Sequence, residues 1–499
     1  MRYLPNGEQM KDADTYTINK VGVPSLVLME RAALKTVEAM EENGIDTSCA
    51  LVVCGSGNNG GDGFAVARLL REKGQEADLF FVGRESSLSE ECRIQKRIAE
   101  NLDIPIFTDF PKKEYTVIID AVFGVGLSRK ITGHWLDVIR WMNDQSAQKV
   151  AVDIPSGISS ATGQVLGEAF RADLTVAMAC GKLGCALFPG RSYGGKTVPA
   201  AIGIDPAFFR EKQDVCFTYD KAELGELLPP RKEDSHKGTY GKVLMINGSS
   251  GMAGAAYLSA KAAYTVGAGL VRIYTASDNR TILQQLLPEA VLTCYEDYEE
   301  EQLEELLAWA DVVCIGCGLG QSCVSEKLLI HTLEKCKVPC VVDADGLNLL
   351  SRHMDLLEHV SCPVILTPHM KEMSRLTGED TAALAENRME ILGRFTEKYP
   401  AVCVLKDSCT VTVQRGRQSF VNMAGNSAMA KAGSGDVLAG TVTGLLAQGM
   451  ESFEGAALGV FLHACGGDEA RTETGPYSAS AQDLIRGIAH VMKKSKELE

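Results

Sequence analysis

Short runs of β-branched and apolar residues recur along this chain, most of them closing on a turn that contains Gly or Asp. The first series is ALVVCG (50–55), ADLFFVG (77–83), TVIIDAVFG (116–124), QKVAVDIPSG (148–157) and DLTVAMA (173–179). Helical patterns such as 63–73 and 88–100 separate these runs. A strand that is apolar on both faces has to be covered on both faces, and helices placed between successive parallel strands do this. The pattern therefore predicts a doubly wound α/β sheet. A second series follows: KVLMING (242–248), LVRIYTA (270–276), DVVCIGCG (311–318), VPCVVDADG (338–346), PVILTPH (363–369) and AVCVLKD (401–407). An Ala-rich helix is expected from about 253 to 267, with long helical stretches after 433. Between the series, residues 211–241 are charged and stop a helix at Pro229 and Pro230. With 499 residues to divide, two αβα three-layer domains are expected, 1–220 and 225–499.

Charge narrows the partners. Fifty Lys and Arg stand against 65 Asp and Glu, a net charge of −15, with no long basic run. Nucleic acid and anionic membranes are thus poor partners, and a phosphate ligand must be held by local amides and single cations. The start MRYLPNGEQMKDAD carries no apolar core, and LTVAMACGKLGCALF is broken by Lys182, so a cytoplasmic protein is expected. The 16 cysteines are scattered singly through apolar strands, as reduced buried thiols are. Cys314 and Cys317 form one Cys-x2-Cys pair with no second pair of matching spacing, which disfavours zinc.

In the first half, GSGNNGGDGFAVARLL (55–70) follows a strand, opens a helix and fits G-x-G-x-x-G over its first six residues, a Rossmann-like turn. Asn58, Asn59 and Asp62 put amide and carboxylate oxygens where such a turn usually has small spacers. The acidic residue expected after the second strand is replaced by GRES, whose Arg84 suits a phosphorylated ribose. Asp120 and Asp153 also end strands, so Asn59, Asp120, Asp153 and Ser156 can meet in one crevice. Their hard oxygens suit a group-one or group-two cation, although single acids at strand ends also serve as caps. GRSYGGKT (190–197) matches the P-loop letter for letter, but the extended TVPAAIGID that follows is not the helix a P-loop needs.

GSGNNGGDGF, DAVFGVGLSR and DIPSG, in this order and spacing, resemble the epimerase domain of bifunctional NAD(P)H-hydrate repair enzymes. The resemblance implies that Asn59, Asp120 and Ser156 bind K+. It also implies that Asn58, Asn59, Gly60, Gly61 and Asp62, the loop Gly124, Val125, Gly126, Leu127, Ser128, Arg129 and Lys130, and Asp153 hold the hydrated dinucleotide, with Asp153 catalytic.

The second half poses its own question. AGSGDV (432–437) reads as a glycine turn at a helix start, a place for a phosphate, yet Asp436 is itself an anion. A carboxylate there must act on what the phosphate meets. HKGTYGKVLMINGSSGMAGAAYLSAKAA, VVDADGLN, LTPHMKEM, VLKDSCT and GNSAMAKAGSGDVLAG together resemble the ribokinase-like dehydratase domain of the same enzymes, with departures at Ser427 and Lys431. The resemblance thus covers nearly the whole chain. It implies that Asp436 takes the proton of the substrate hydroxyl, and that Ala255, Gly318, His369 and Asp436 contact the NAD(P)H hydrate. Lys406, Asp407, Ser408, Cys409, Thr410 and Gly435 then bind ADP or ATP with Mg2+. Asp345 fits a cap and a ligand equally well. A lyase and isomerase that repairs damaged cofactors is therefore expected, as a homo-oligomer. The alternative is a small-molecule kinase of the ribokinase-like class with an N-terminal nucleotide-sensing or interaction module.

Overall fold

The computed structural model describes residues 1–497. The chain divides into two compact units, Arg2–Phe217 and a second from Thr218 onward.

In the first unit, β1 (Cys49–Cys54), β2 (Glu76–Phe81), β3 (Ile106–Phe107), β4 (Val117–Ala121), β5 (Gln148–Val152), β6 (Leu174–Met178) and β7 (Lys196–Ala200) form a seven-stranded parallel sheet in the order β3-β2-β1-β4-β5-β6-β7. The order reverses between β1 and β4, and in such sheets the strand ends open a crevice at that point. Register brings the acids there: Val53 pairs with Asp120, and Asp120 with Ala151, two residues before Asp153. The helix Asn58–Glu72 lies close to the sheet, because a Cβ on Gly63 would meet the Ala121 Cβ at 2.5 Å. After a 3-10 turn, Gly190–Ser192, the GRSYGGKT segment runs into β7, which contains Pro199, so no helix N-terminus faces a phosphate there.

The second unit is also α/β. Here β8 (Lys242–Ile246), β9 (Leu270–Ala276), β10 (Val291–Tyr295), β11 (Val312–Ile315), β12 (Cys340–Val342), β13 (Val364–Leu366), β14 (Ala401–Leu405), β15 (Val411–Val413) and β16 (Phe420–Val421) run in the order β16-β15-β14-β13-β12-β11-β8-β9-β10. The pairs from β14 to β10 are parallel, and β15 and β16 extend the sheet antiparallel. The Ala-rich helix spans Ala253–Thr265 and packs on the helix Ser434–Ala447. A Cβ on Gly440 would approach the Ser259 carbonyl oxygen to 2.0 Å, so the small residues of the two helices set their separation. Among the described residues no helix is long and apolar enough to cross a membrane.

Candidate active sites of the two units

A cavity of about 870 Å³ opens at the strand ends of the first unit. Asn58, Asn59, Asp62, the loop from Gly124 to Arg129, and Asp153 line it. Gly60, Gly61 and Lys130 do not. The faces of Gly60 and Gly61 are pressed against the Gly55 carbonyl oxygen and the Met29 side chain, and Lys130 is exposed.

Asp120 and Ser156 are buried, at 0% and 1% exposure. The Ser156 hydroxyl donates to Asp120 Oδ1 at 2.7 Å and accepts the Phe123 amide at 2.8 Å, while the Ser156 amide donates to Asp120 Oδ2 at 2.7 Å. Burial raises the Asp120 carboxyl to about 6 despite these bonds, and among the described residues no Lys or Arg pairs with it. Asn59 Nδ2 is buried without a hydrogen-bond partner. The Asp120 carboxyl, the Ser156 hydroxyl and the Phe123 carbonyl oxygen, 3.2 Å from Ser156 Oγ, form an all-oxygen set short of positive charge, and Asn59 stands on the cavity wall against Gly124. That chemistry fits a hard, singly charged cation.

Asp153 occupies the left-handed region, φ 68°, a conformation that costs a non-glycine residue on the order of 1–3 kcal/mol. Lys182, with a wholly buried side chain, bonds to Asp153 Oδ1, to the Met178 carbonyl oxygen at 2.6 Å and to the Cys180 carbonyl oxygen at 3.0 Å. All three ammonium protons are thereby used. Asp62, half-buried in the cavity wall, is held well above the usual carboxylate range by desolvation and by the charges of Asp153 and Asp14. Asp14 lines the cavity too and is raised by burial and by Asp153. One ion-paired carboxylate and one whose neutral form is favoured thus line the same cavity. The sequence reading missed Asp14 and Lys182. A lysine inside an apolar stretch was the available signal, because a buried lysine needs a partner.

In the second unit, Lys406 Nζ lies 2.5 Å from Asp343 Oδ1, and the Thr367 hydroxyl donates to the same oxygen at 2.8 Å. A Cβ on Gly435 would lie 3.5 Å from Lys406 Nζ and 3.7 Å from Asp343 Oδ2. The next residue, Asp436, stands in the first turn of the helix Ser434–Ala447. Its carboxyl is raised to about 6, chiefly by burial and then by the Asp343 charge. Ligand atoms of Cys317, Asp343 and Asp436 all lie within 4.8 Å of one another. Lysine, carboxyl groups and helix-start amides thus share one spot, and such amides favour an anion.

Ala344, between Asp343 and Asp345, has φ 49° and ψ −118°, and the Gly346 amide donates to the Asp343 carbonyl oxygen at 2.9 Å. This turn prefers glycine at that position, and strain of this kind gathers at functional sites. Asp345 Oδ2 accepts the Gly320 amide at 2.8 Å and ties two loops together. Gly318, at φ 61°, abuts Ala255: a Cβ on it would be 2.8 Å from the Ala255 Cβ. His369 caps the helix Met370–Thr377, its Nδ1 accepting the Lys371 and Glu372 amides at 3.1 and 3.2 Å. Nε2 is left to carry the proton, on a half-exposed ring 3.3 Å from Glu372 Oε1.

The 406–410 segment divides. Lys406 faces Asp343 and Ser408 is exposed. Asp407 pairs with buried Arg388 at 3.2 Å, and Thr410 Oγ1 donates to the Asp407 carbonyl oxygen at 3.2 Å. The Cys409 thiol turns inward to the Asn422 carbonyl oxygen at 3.4 Å. Cys317 faces Asp343 at 3.8 Å. Asp343 and His463 were not singled out in the sequence, and Cys317 was noted only as half of a Cys-x2-Cys pair. Asp343 had a signal, since it stands two residues before Asp345 in the same strand-end turn.

Comparisons with known proteins follow this division. A family profile described as YjeF-related protein N-terminus matches residues 25–184, and one described as NAD(P)H-hydrate dehydratase matches residues 243–490. The chain is similar to the bifunctional NAD(P)H-hydrate repair enzyme Nnr of Moorella thermoacetica, 34% identical over 99% of this chain and 97% of that one. It is also similar to that of Coxiella burnetii, 34% identical over 97% and 98%. A solved ribokinase-like superfamily protein from Enterococcus faecalis is 28% identical, covers 56% of this chain and 96% of its own, and superposes with a TM-score of 0.51. Identity at this level, sustained through both units in the same order, carries one conclusion: the chain belongs to the family of bifunctional NAD(P)H-hydrate repair enzymes.

Proposed function

We propose that the first unit, within residues 1–220, interconverts the R and S epimers of NAD(P)H hydrate, and that the second, within 225–499, dehydrates the S form at the expense of ADP or ATP. The observation that carries this reading is the meeting of Asp436, Gly435, Lys406 and Asp343 at one helix start.

In the second unit, Asp436 takes the proton of the ring hydroxyl as the hydroxyl oxygen attacks the terminal phosphorus of the nucleotide. The bond from that phosphorus to the nucleotide breaks. Lys406 and the amides at the start of the 434–447 helix hold the charge that develops on the phosphoryl oxygens. Phosphate is a far better leaving group than hydroxide. Its departure with a proton from the adjacent ring carbon restores the double bond, giving orthophosphate and the reduced cofactor. Asp343 and Asp436, whose carboxyl groups lie within 4.8 Å of one another, would be the residues to hold Mg2+ bound with the nucleotide, which would neutralise phosphate charge.

In the first unit, the hydroxyl-bearing carbon next to the ring nitrogen changes configuration when one of its bonds to a heteroatom opens and re-forms on the other face. Protonated Asp62 suits the acid role and Asp153, oriented by Lys182, the base role. Asn59, Asp120 and Ser156 would hold K+, which supplies a fixed positive charge beside the substrate. The net charge of −15 and the first-unit cavity support a small-molecule enzyme without nucleic-acid or membrane partners; a cytoplasmic location and a homo-oligomer are part of this reading.

The test supplies the hydrated cofactor as separated epimers. With the S form, ADP or ATP and Mg2+, recovery of absorbance by the reduced dinucleotide should match orthophosphate release. A stable phosphorylated product would instead mark a kinase, the reading the comparisons do not favour.

A further inference from the structure

Three cationic side chains line the first-unit cavity, Lys11, Arg84 and Arg129, and of these Arg84 stands just past the end of strand β2. Strand β2 ends at Phe81, and the chain turns through Gly83 to Arg84 directly beside the glycine-rich turn after β1. A Cβ on Gly83 would lie 2.8 Å from the Ser56 amide nitrogen, and the Ser89 amide donates to the Ser56 carbonyl oxygen at 2.9 Å. Arg84, Ser56 and Ser87 all line the cavity. The nearby carboxylates are already engaged: Glu85 pairs with Lys96 at 2.9 Å, and Glu91 accepts the Ser25 hydroxyl at 2.7 Å. Among the described residues, the Arg84 guanidinium has no hydrogen bond or ion pair.

In this sheet order, the end of β2 is where a dinucleotide's adenosine ribose is read. An acid there bonds the free 2′-hydroxyl, and an arginine accepts a 2′-phosphate. The cavity volume is within the range that encloses a ligand of this class. A guanidinium presents a planar fork that matches phosphate oxygens, and hydroxyls beside it add donors. We propose that Arg84, with Ser56 and Ser87, receives the 2′-phosphate of the phosphorylated dinucleotide and makes the first unit selective for NADPH hydrate over NADH hydrate. This rests on the epimerase reading of the cavity.

The full chain and its Arg84→Ala variant are compared in two assays. In the first, each hydrate is epimerised. The variant should raise KM for NADPH hydrate by about tenfold, the loss of one charge-assisted bond, while KM for NADH hydrate and both kcat values stay within about twofold. In the second, adenosine 2′,5′-bisphosphate and 5′-AMP are titrated calorimetrically, and the variant should lose affinity for the bisphosphate alone. Equal losses for both hydrates, as a pyrophosphate contact would give, or no loss for either, overturns the proposal. If wild-type chain epimerises neither hydrate, the epimerase reading fails, and the bisphosphate titration still decides the role of Arg84.

Discussion

Lys406 Nζ lies 2.5 Å from Asp343 Oδ1, with the two side chains 17% and 2% exposed. The pair joins the end of one strand to the turn after another and places a cation beside Gly435. Removing one partner of a buried pair leaves the other uncompensated. Lys406→Met should therefore destabilise the second unit by about 3 kcal/mol and weaken ADP binding. Lys406→Met with Asp343→Asn should regain much of the stability and none of the binding. Urea unfolding and nucleotide titration of both variants measure the two effects separately.

Asp436 should behave as a base whose carboxylate form is active. Its carboxyl is raised to about 6, so kcat/KM for dehydration should climb with pH through about 6 and level off above it. Asp436→Asn should lower dehydration by a factor on the order of 10² to 10⁴ and abolish that limb of the pH profile. ADP affinity should change little, and a parallel loss of ADP affinity would argue against a base.

His463 gives a stability prediction. It is buried beside Ser434, with Nε2 3.3 Å from Ser434 Oγ, and burial lowers it to about 4 from its ordinary 6.5. The folded state favours the neutral ring, so this contribution is intact above pH 6.5 and is lost as pH falls toward 4, amounting to about 3 kcal/mol. Asp436 and Glu372, raised to about 6 and about 7, act in the opposite sense. The comparison must therefore be the difference between wild type and His463→Gln in denaturant midpoints across pH 4–7. That difference should shrink as pH falls.

Ala344→Gly should stabilise the second unit by about 1 kcal/mol, since relief of a strained φ exceeds the added freedom of the unfolded chain. Thermal unfolding reads the gain. A loss of stability would mean that the Ala344 methyl makes packing contacts worth more than the strain.

Asp120→Asn should abolish epimerisation and leave dehydration of the S form within about twofold, if the units act independently. An equal fall in both activities would contradict that independence.

The layered α/β character of both units was legible in the sequence, because strands apolar on both faces and separated by helices have one stable arrangement. The placement of Asn59, Asp120, Asp153, His369 and Lys406 at or just past strand ends was legible for the same reason, and that of Asp436 from the glycine turn that opens its helix. What required the tertiary structure was which residues meet. Lys182 reaches Asp153 from 29 positions away, and Lys406 reaches Asp343 from 63. Cys409 turns inward although its neighbour Ser408 is exposed. Periodicity reports the face of an element on which a side chain stands. Pairing across strands depends on sheet order and register, which are set by packing distant segments, and so only the folded chain decided which carboxylate has a lysine and which is left to hold its proton.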